Sequence, residues 1–213
     1  MLTAINKYPF FDITEIIADN DLEFKSYNPL FPVKTGNLIP DLSLNKAYAN
    51  WQQFYNGSET HGPVLLRHLL EKPLVISFYS HHWKDFGLKQ LKNLNAIHHE
   101  IKASGGNLLI ITPEREDGLQ AKAWEHNLSL NFYYDNDNAI ARQFRVYDED
   151  SPAWGRFSGI DENAPLLATY VLDSYRQIVF DHVDLSFEAA FPAKEIISNV
   201  YIAALANNRK RSA

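Results

Sequence analysis

Short apolar runs alternate with amphipathic segments in the middle of the chain. Residues 73–80 (PLVISFYS) and 107–112 (NLLIIT) are apolar, rich in β-branched residues and bounded by a proline, which is typical of strands buried on both faces. Between them, apolar residues recur every three or four positions, which predicts an amphipathic helix that ends before Gly105. This stripe consists of Leu88, Leu91, Leu94, Ile97 and Ile101.

A second pair of helices and a short strand follow. The pattern predicts helices over 118–127 and 138–144 and a strand over 132–134. Trp124 and Leu128 are the candidate core contacts of the first of these helices.

The carboxyl-terminal third begins with a loop and ends in a helix. Residues 146–165 form a turn-rich loop, which is uncommon at this length unless it is functional or ordered by its own packing. Strands are predicted over 168–172 and 177–182, joined as a hairpin, and a helix begins near Pro192. This order predicts an α/β fold with a central mixed sheet and helices on both faces.

The two ends of the chain are predicted to lie outside its central domain. We expect residues 1–35 to form an N-terminal helix and arm, because Asp12-Ile-Thr-Glu15 is a capping-box start. A single domain is predicted over 36–206, followed by a basic tail over 207–213.

An aromatic insertion occupies residues 45–62. We expect it to cap a cleft or cover a sheet face, and to be buried against its own chain, because large aromatic residues are mostly core material. Its aromatic residues are Tyr48, Trp51, Phe54 and Tyr55. An association surface that also includes Trp154 and Phe157 is the alternative.

Composition narrows the class of protein. The 213 residues fit one domain, and a net charge of -6 argues against nucleic-acid binding. No apolar run approaches the roughly 20 residues that cross a bilayer, and the first twenty residues lack a secretory pattern. We therefore expect a cytoplasmic protein that associates with neither membranes nor nucleic acid.

Sulfur is almost missing from the chain. There are no cysteines, and the single methionine is Met1. No interior side chain can therefore act as a thiolate nucleophile, a disulfide partner or an iron-sulfur ligand.

Several short strings along the chain, taken in order, match the signatures of one known protein family. Residues 36–44 (GNLIPDLSL) are similar to the opening segment of that family, and 75–79 (VISFY) followed by Trp83 to the segment around its active site. Residues 111–114 (ITPE) and 168–173 (ATYVLD) resemble two later signatures. Together these strings resemble the alkyl hydroperoxide reductase and thiol-specific antioxidant (AhpC/TSA) branch of the peroxiredoxins, and the resemblance implies a thioredoxin-like fold.

The departures from this family fall on its chemistry. Lys84 stands where the family has its peroxidatic cysteine, and Gly87 where it has the second cysteine of a C-x-x-C motif. Ser80 replaces the usual arginine, and Asp85 replaces a proline. The resemblance implies that peroxide reduction needs a thiolate at a helix N-terminus and a second thiol that resolves the sulfenic acid. Neither species can form in this chain.

The leading hypothesis is therefore a non-catalytic binding or self-associating protein, which by resemblance forms a homodimer and uses no cofactor. The alternative is an enzyme or a ligand- or metal-binding protein with a remodelled pocket at the former active site. The candidate ligand-binding residues are Tyr79, His81, His82, Trp83, Lys84 and Asp85.

Metal binding and lysine chemistry are the two sharper possibilities at this pocket. His81 and His82 are the candidate metal ligands, but adjacent residues of an extended segment point in opposite directions, so we expect no metal. Lys84 at a helix start is a possible Schiff-base nucleophile, which the neighbouring Asp85 disfavours. Elsewhere, His98-His99-Glu100 is predicted to be a solvated helix face.

Overall fold

The computed structural model describes residues 29–39, 42–61, 69–155, 157, 160, 162–185 and 190–211. The helix predicted from the Asp12–Glu15 capping box lies outside these residues. The strands are β1 (Trp51–Tyr55), β2 (Ser58–Thr60), β3 (Leu74–Phe78), β4 (Asn107–Thr112), β5 (Asn131–Tyr134), β6 (Ala168–Leu172) and β7 (Ile178–Val183). The helices are α1 (Lys84–Ala103), α2 (Leu119–Glu125), α3 (Ala139–Gln143) and α4 (Ala193–Arg211), with short 3-10 turns at Tyr48–Asn50, His81–Trp83 and Ala153–Gly155.

The strands form one seven-stranded mixed sheet in the order β2-β1-β5-β4-β3-β6-β7. β3 and β4 pair in parallel, with Phe78 opposite Ile111, and α1 makes the crossover between them. β6 pairs antiparallel to β3 on the other side and continues into β7. Every residue of β3 is buried, as expected for a strand at the centre of a covered sheet. The sequence-predicted α/β fold with a mixed sheet is confirmed.

Alternate side chains of β3 enter two separate cores. Ile76 and Phe78 belong to one core, which also contains buried residues of α3 and of the segment after it. Val75, and Tyr79 directly after the strand, belong to the other, with Ile196 of α4 and with four residues of the apolar stripe of α1, namely Leu91, Leu94, Ile97 and Ile101. The period-two alternation of the strand therefore assigns each face of the sheet its own helices.

The aromatic insertion extends the sheet edge, which corrects the expectation that it caps a cleft or covers a face. β1 pairs antiparallel with β5, and β2 pairs with β1 through a turn at Asn56 and Gly57. Both turn residues have positive φ, 46° and 78°, which is the hairpin geometry that an Asn-Gly pair favours. Trp51 and Phe54 are buried, whereas Tyr48 and Tyr55 are exposed.

Two expectations about helix faces are wrong. Trp124 is 71% exposed, because Leu119 and Ala123 form the buried side of α2 and Trp124 lies one position away. His98 is only 3% exposed, because it lies four residues after Leu94 on the buried stripe of α1. His99 and Glu100 are exposed, as predicted.

The loop over 146–165 is ordered by its own contacts in the part that the structure describes. The Asn163 side chain donates to the carbonyl of Asp148 and accepts from the amide of Ala153. Trp154 in this loop is 46% exposed. None of the described helices is both long enough and apolar enough to span a bilayer.

Candidate functional site

The candidate site lies where β3 ends and α1 begins. Ser80 leaves the strand in an extended conformation, and its Oγ accepts from the amide of His82 at 3.3 Å. This cap starts the 3-10 turn His81–Trp83. Lys84 then adopts φ 51° and ψ −127°, which turns the chain from the 3-10 turn into α1.

The two positions where the sequence resemblance predicts the family's cysteines have unlike environments. Lys84 and Asp85 are exposed at the start of α1, whereas Gly87 is buried. A Cβ atom at Gly87 would lie 2.9 Å from Cε2 of Tyr79 and 3.1 Å from the carbonyl oxygen of Ser80. A side chain at position 87 therefore has no room unless its neighbours shift.

Tyr79 is a structural residue of this region. It is 2% exposed, and its hydroxyl donates to Oε2 of Glu116 at 2.6 Å. The other oxygen of Glu116 accepts from Lys122 on α2. Burial, reinforced by the hydrogen bond and the charge of Glu116, raises the pKa of Tyr79 well above its usual range. The phenol therefore stays protonated and ties β3 to α2.

Trp83 is likewise part of the core rather than of an accessible surface. Its side chain is 1% exposed, and Nε1 donates to the carbonyl of Pro165 at 2.7 Å. The ring packs edge-on against Phe157 at a centroid distance of 5.1 Å. Trp83 therefore fixes the turn against the loop that precedes β6.

His81 and His82 converge on Glu114, so the expectation that adjacent histidines diverge is wrong. Its premise fails because the two residues lie in a 3-10 turn rather than in an extended segment, and their rings are 4.0 Å apart. Oε1 of Glu114 lies 3.0 Å from Nε2 of His82 and 3.4 Å from Nδ1 of His81. All three side chains are partly exposed.

Sequence reasoning did not include Glu114 in the site. Its position follows from the sheet, because β3 and β4 are parallel neighbours and their carboxyl ends meet at one edge. Phe78 pairs with Ile111, which brings the segment after β3 beside the segment after β4. The signal was therefore available in the two predicted buried strands with a helix between them, each followed by polar residues.

The candidate site has two parts: a closed part made of buried residues and an accessible part near the surface. Tyr79, Trp83 and Gly87 fill the space beneath the turn, whereas His81, His82 and Glu114 present two imidazoles and a carboxylate near the surface. The closed part supports structure, and the accessible part has the chemistry to bind a ligand.

Comparisons with known proteins identify the fold and the family of this chain. Residues 35–180 match the model of the AhpC/TSA family. No curated protein matches the sequence. Among solved structures, the chain resembles Mycobacterium tuberculosis AhpC, with a TM-score of 0.56 and 13% identity over 81% of this chain and 92% of that one. It also resembles the reduced Plasmodium vivax 2-Cys peroxiredoxin, with a TM-score of 0.54 and 15% identity over 84% and 85%.

A third similar structure is Enterococcus faecalis AhpC, with a TM-score of 0.54 and 14% identity over 86% of this chain and 95% of that one. At these identities the solved structures support the thioredoxin-like peroxiredoxin fold, and the family match carries the assignment. The peroxidatic reaction of the family requires a thiolate, and this chain has no cysteine. The chain therefore belongs to the AhpC/TSA family as a cysteine-free member in which thiol-based peroxide reduction is impossible.

Proposed function

We propose that this protein is a non-catalytic binding protein, a cytoplasmic homodimer that holds a ligand at the end of β3 instead of reducing peroxide there. The observation that carries the proposal is the convergence of His81, His82 and Glu114 at the turn that precedes Lys84. Polar side chains that meet at the carboxyl edge of parallel strands are typical of binding sites in α/β folds.

The packing under the turn supports a role without catalysis. The Cβ of a residue at position 87 would collide with Tyr79, so the space for a second thiol is already filled by an aromatic ring. Lys84 is exposed, whereas Schiff-base enzymes use a lysine that burial has desolvated. The region is therefore built for stability around a small accessible set of polar groups.

Exposed apolar side chains support self-association. Tyr201, Ile202 and Leu205 lie on α4 with 53%, 60% and 39% exposure, and Tyr175 in the β6–β7 turn is 55% exposed. Tyr175 and Ile202 line one surface groove, and a contiguous apolar patch is typical of contacts between protein chains.

Native mass spectrometry and light scattering on untagged protein test the proposal. We expect a homodimer, together with a stoichiometric ligand whose binding decreases when His81 or His82 is replaced by alanine. The matched control is His99→Ala on the exposed face of α1. A monomer at all concentrations that binds nothing through these histidines contradicts the proposal, as does thiol-dependent consumption of peroxide by protein free of contaminating enzymes.

A further inference from the structure

We propose that His81, His82 and Glu114 bind one divalent transition-metal ion, with zinc as the ion that fits best. This inference rests on the proposed function, since it names the ligand of the same site. Two imidazoles and one carboxylate are a ligand set that zinc uses in proteins. The same set disfavours calcium and magnesium, which prefer oxygen ligands alone.

The spacing of the candidate ligand atoms matches a tetrahedral ion. Bonds of about 2.0–2.1 Å at tetrahedral angles place ligand atoms about 3.3 Å from one another. The two distances from Glu114 Oε1 to the histidine nitrogens, 3.0 Å and 3.4 Å, lie on either side of that value. The three ligand atoms all lie within 4.8 Å of one another. The three side chains are therefore close enough to share one ion.

An unsatisfied nitrogen points to the same conclusion. Nδ1 of His81 is almost inaccessible to solvent and makes no hydrogen bond in the part of the chain that the structure describes. It lies 3.4 Å from Glu114 Oε1, but that contact does not have hydrogen-bond geometry. A buried imidazole nitrogen without a partner costs free energy, which a metal ion bound to its lone pair removes.

The two histidines lie in a fixed turn. His81 and His82 are held by the Ser80 cap and by the buried Trp83, and Glu114 lies in the bend two residues after the end of β4. A turn of this kind loses little conformational freedom when its side chains bind an ion. Three protein ligands leave one tetrahedral position for water or an anion. Two neutral histidines and one carboxylate leave the loaded site with a formal charge of about +1, which favours an anion.

Isothermal titration calorimetry with zinc chloride tests this inference on untagged, chelator-treated full-length protein. We expect one zinc ion per chain. His81→Ala, His82→Ala and Glu114→Gln should each weaken binding at least tenfold, because each removes one of three ligands. Cobalt(II) gives a second readout, since tetrahedral coordination produces an intense visible absorption that the same three variants should lose.

The chain offers a close control in its second pair of adjacent histidines. The rings of His98 and His99 are also 4.0 Å apart, but His98 is buried. His99→Ala should therefore leave zinc binding unchanged. Circular dichroism of each variant without metal separates loss of a ligand from loss of the fold.

Three results overturn the metal site: no zinc binding, zinc binding that all three ligand variants retain, or equal weakening by His99→Ala. A dimer or another ligand bound through His81 or His82 in the absence of zinc binding would refute the metal and leave the proposed function intact. Peroxide turnover would refute the proposed function whether or not zinc binds.

Discussion

The ring of Tyr79 occupies the space that a side chain at position 87 would need. A Cβ atom at Gly87 would lie 2.9 Å from Cε2 of Tyr79, closer than such atoms approach in folded proteins. The sequence resemblance predicts the second cysteine of the family's C-x-x-C motif at position 87, and in this chain the packing around Tyr79 requires glycine there.

Gly87→Ala should destabilise the protein although alanine favours helices. Helix propensity alone would stabilise this variant by about 1 kcal/mol. The new methyl group would also meet Tyr79, the carbonyl of Ser80 at 3.1 Å and Cβ of Trp83 at 3.2 Å. We expect a net loss of about 1–3 kcal/mol in the free energy of unfolding, measured by urea denaturation. The exposed Lys89→Ala on the same helix is the control. A variant more stable than the parent would show that Tyr79 yields easily.

Tyr79→Phe tests the hydrogen bond from Tyr79 to Glu116, which links the end of β3 to α2 through Lys122. The variant keeps the ring but removes the donor to Glu116, whose side chain is only 8% exposed and also bonds to Lys122. We expect a loss of about 1–2 kcal/mol in unfolding free energy, because a buried carboxylate oxygen loses its partner. Tyr55→Phe, at a tyrosine that is 58% exposed, should change stability by less than about 0.5 kcal/mol. Equal effects of the two changes would contradict a specific role for the Tyr79 hydroxyl.

Replacing Lys84 by alanine should leave the stability of the protein nearly unchanged, and replacing it by glycine should increase the stability. Its φ of 51° with ψ of −127° is a conformation that strains any residue with a Cβ atom. Lys84→Ala keeps that strain at an exposed position, so we expect little change in stability. Lys84→Gly should be about 0.5–1 kcal/mol more stable than Lys84→Ala in thermal or urea unfolding. The opposite order would mean that the backbone at this position is not strained.

The buried His98 should make the protein less stable in mild acid. Burial, followed by repulsion from His99 and Lys102, lowers the pKa of His98 to about 4. In the unfolded chain the imidazole titrates near 6.5, so the unfolded state binds the proton first. His98 therefore does not reduce the free energy of unfolding above about pH 6.5. The free energy of unfolding decreases as the pH falls from about 6.5 toward 4. Between about pH 7 and pH 5 the loss is about 2 kcal/mol.

Unfolding free energies of His98→Gln and His99→Gln measured at both pH values check this effect. His98→Gln should reduce the decrease in stability by most of that amount. His99→Gln should retain most of the decrease, because it removes only the repulsion from His99, whereas burial, the main cause of the lowered pKa of His98, remains. His182 also has a lowered pKa, mainly through burial, and it adds to the decrease equally in both variants. Identical pH profiles for the two variants would exclude His98 as a source.

Local patterns were sufficient for most of the fold. The apolar runs predicted β3 and β4, and the stripe from Leu88 to Ile101 predicted α1, because side-chain burial within one element repeats with the period of that element. Within the helices, the burial of single residues was harder to predict. His98 and Trp124 differ from expectation because a shift of one position moves a helical residue by about 100° around the axis.

The sequence by itself determined the fold class, the family resemblance and the absence of thiol chemistry, since all three follow from residue types and their order along the chain. Only the tertiary structure decided that His81 and His82 meet Glu114, that Tyr79 fills the space at Gly87, and that the aromatic insertion extends the sheet. Some of these relationships join residues that are distant in sequence, and others depend on the geometry of one turn. They arise from strand pairing and side-chain packing, which no local periodicity encodes.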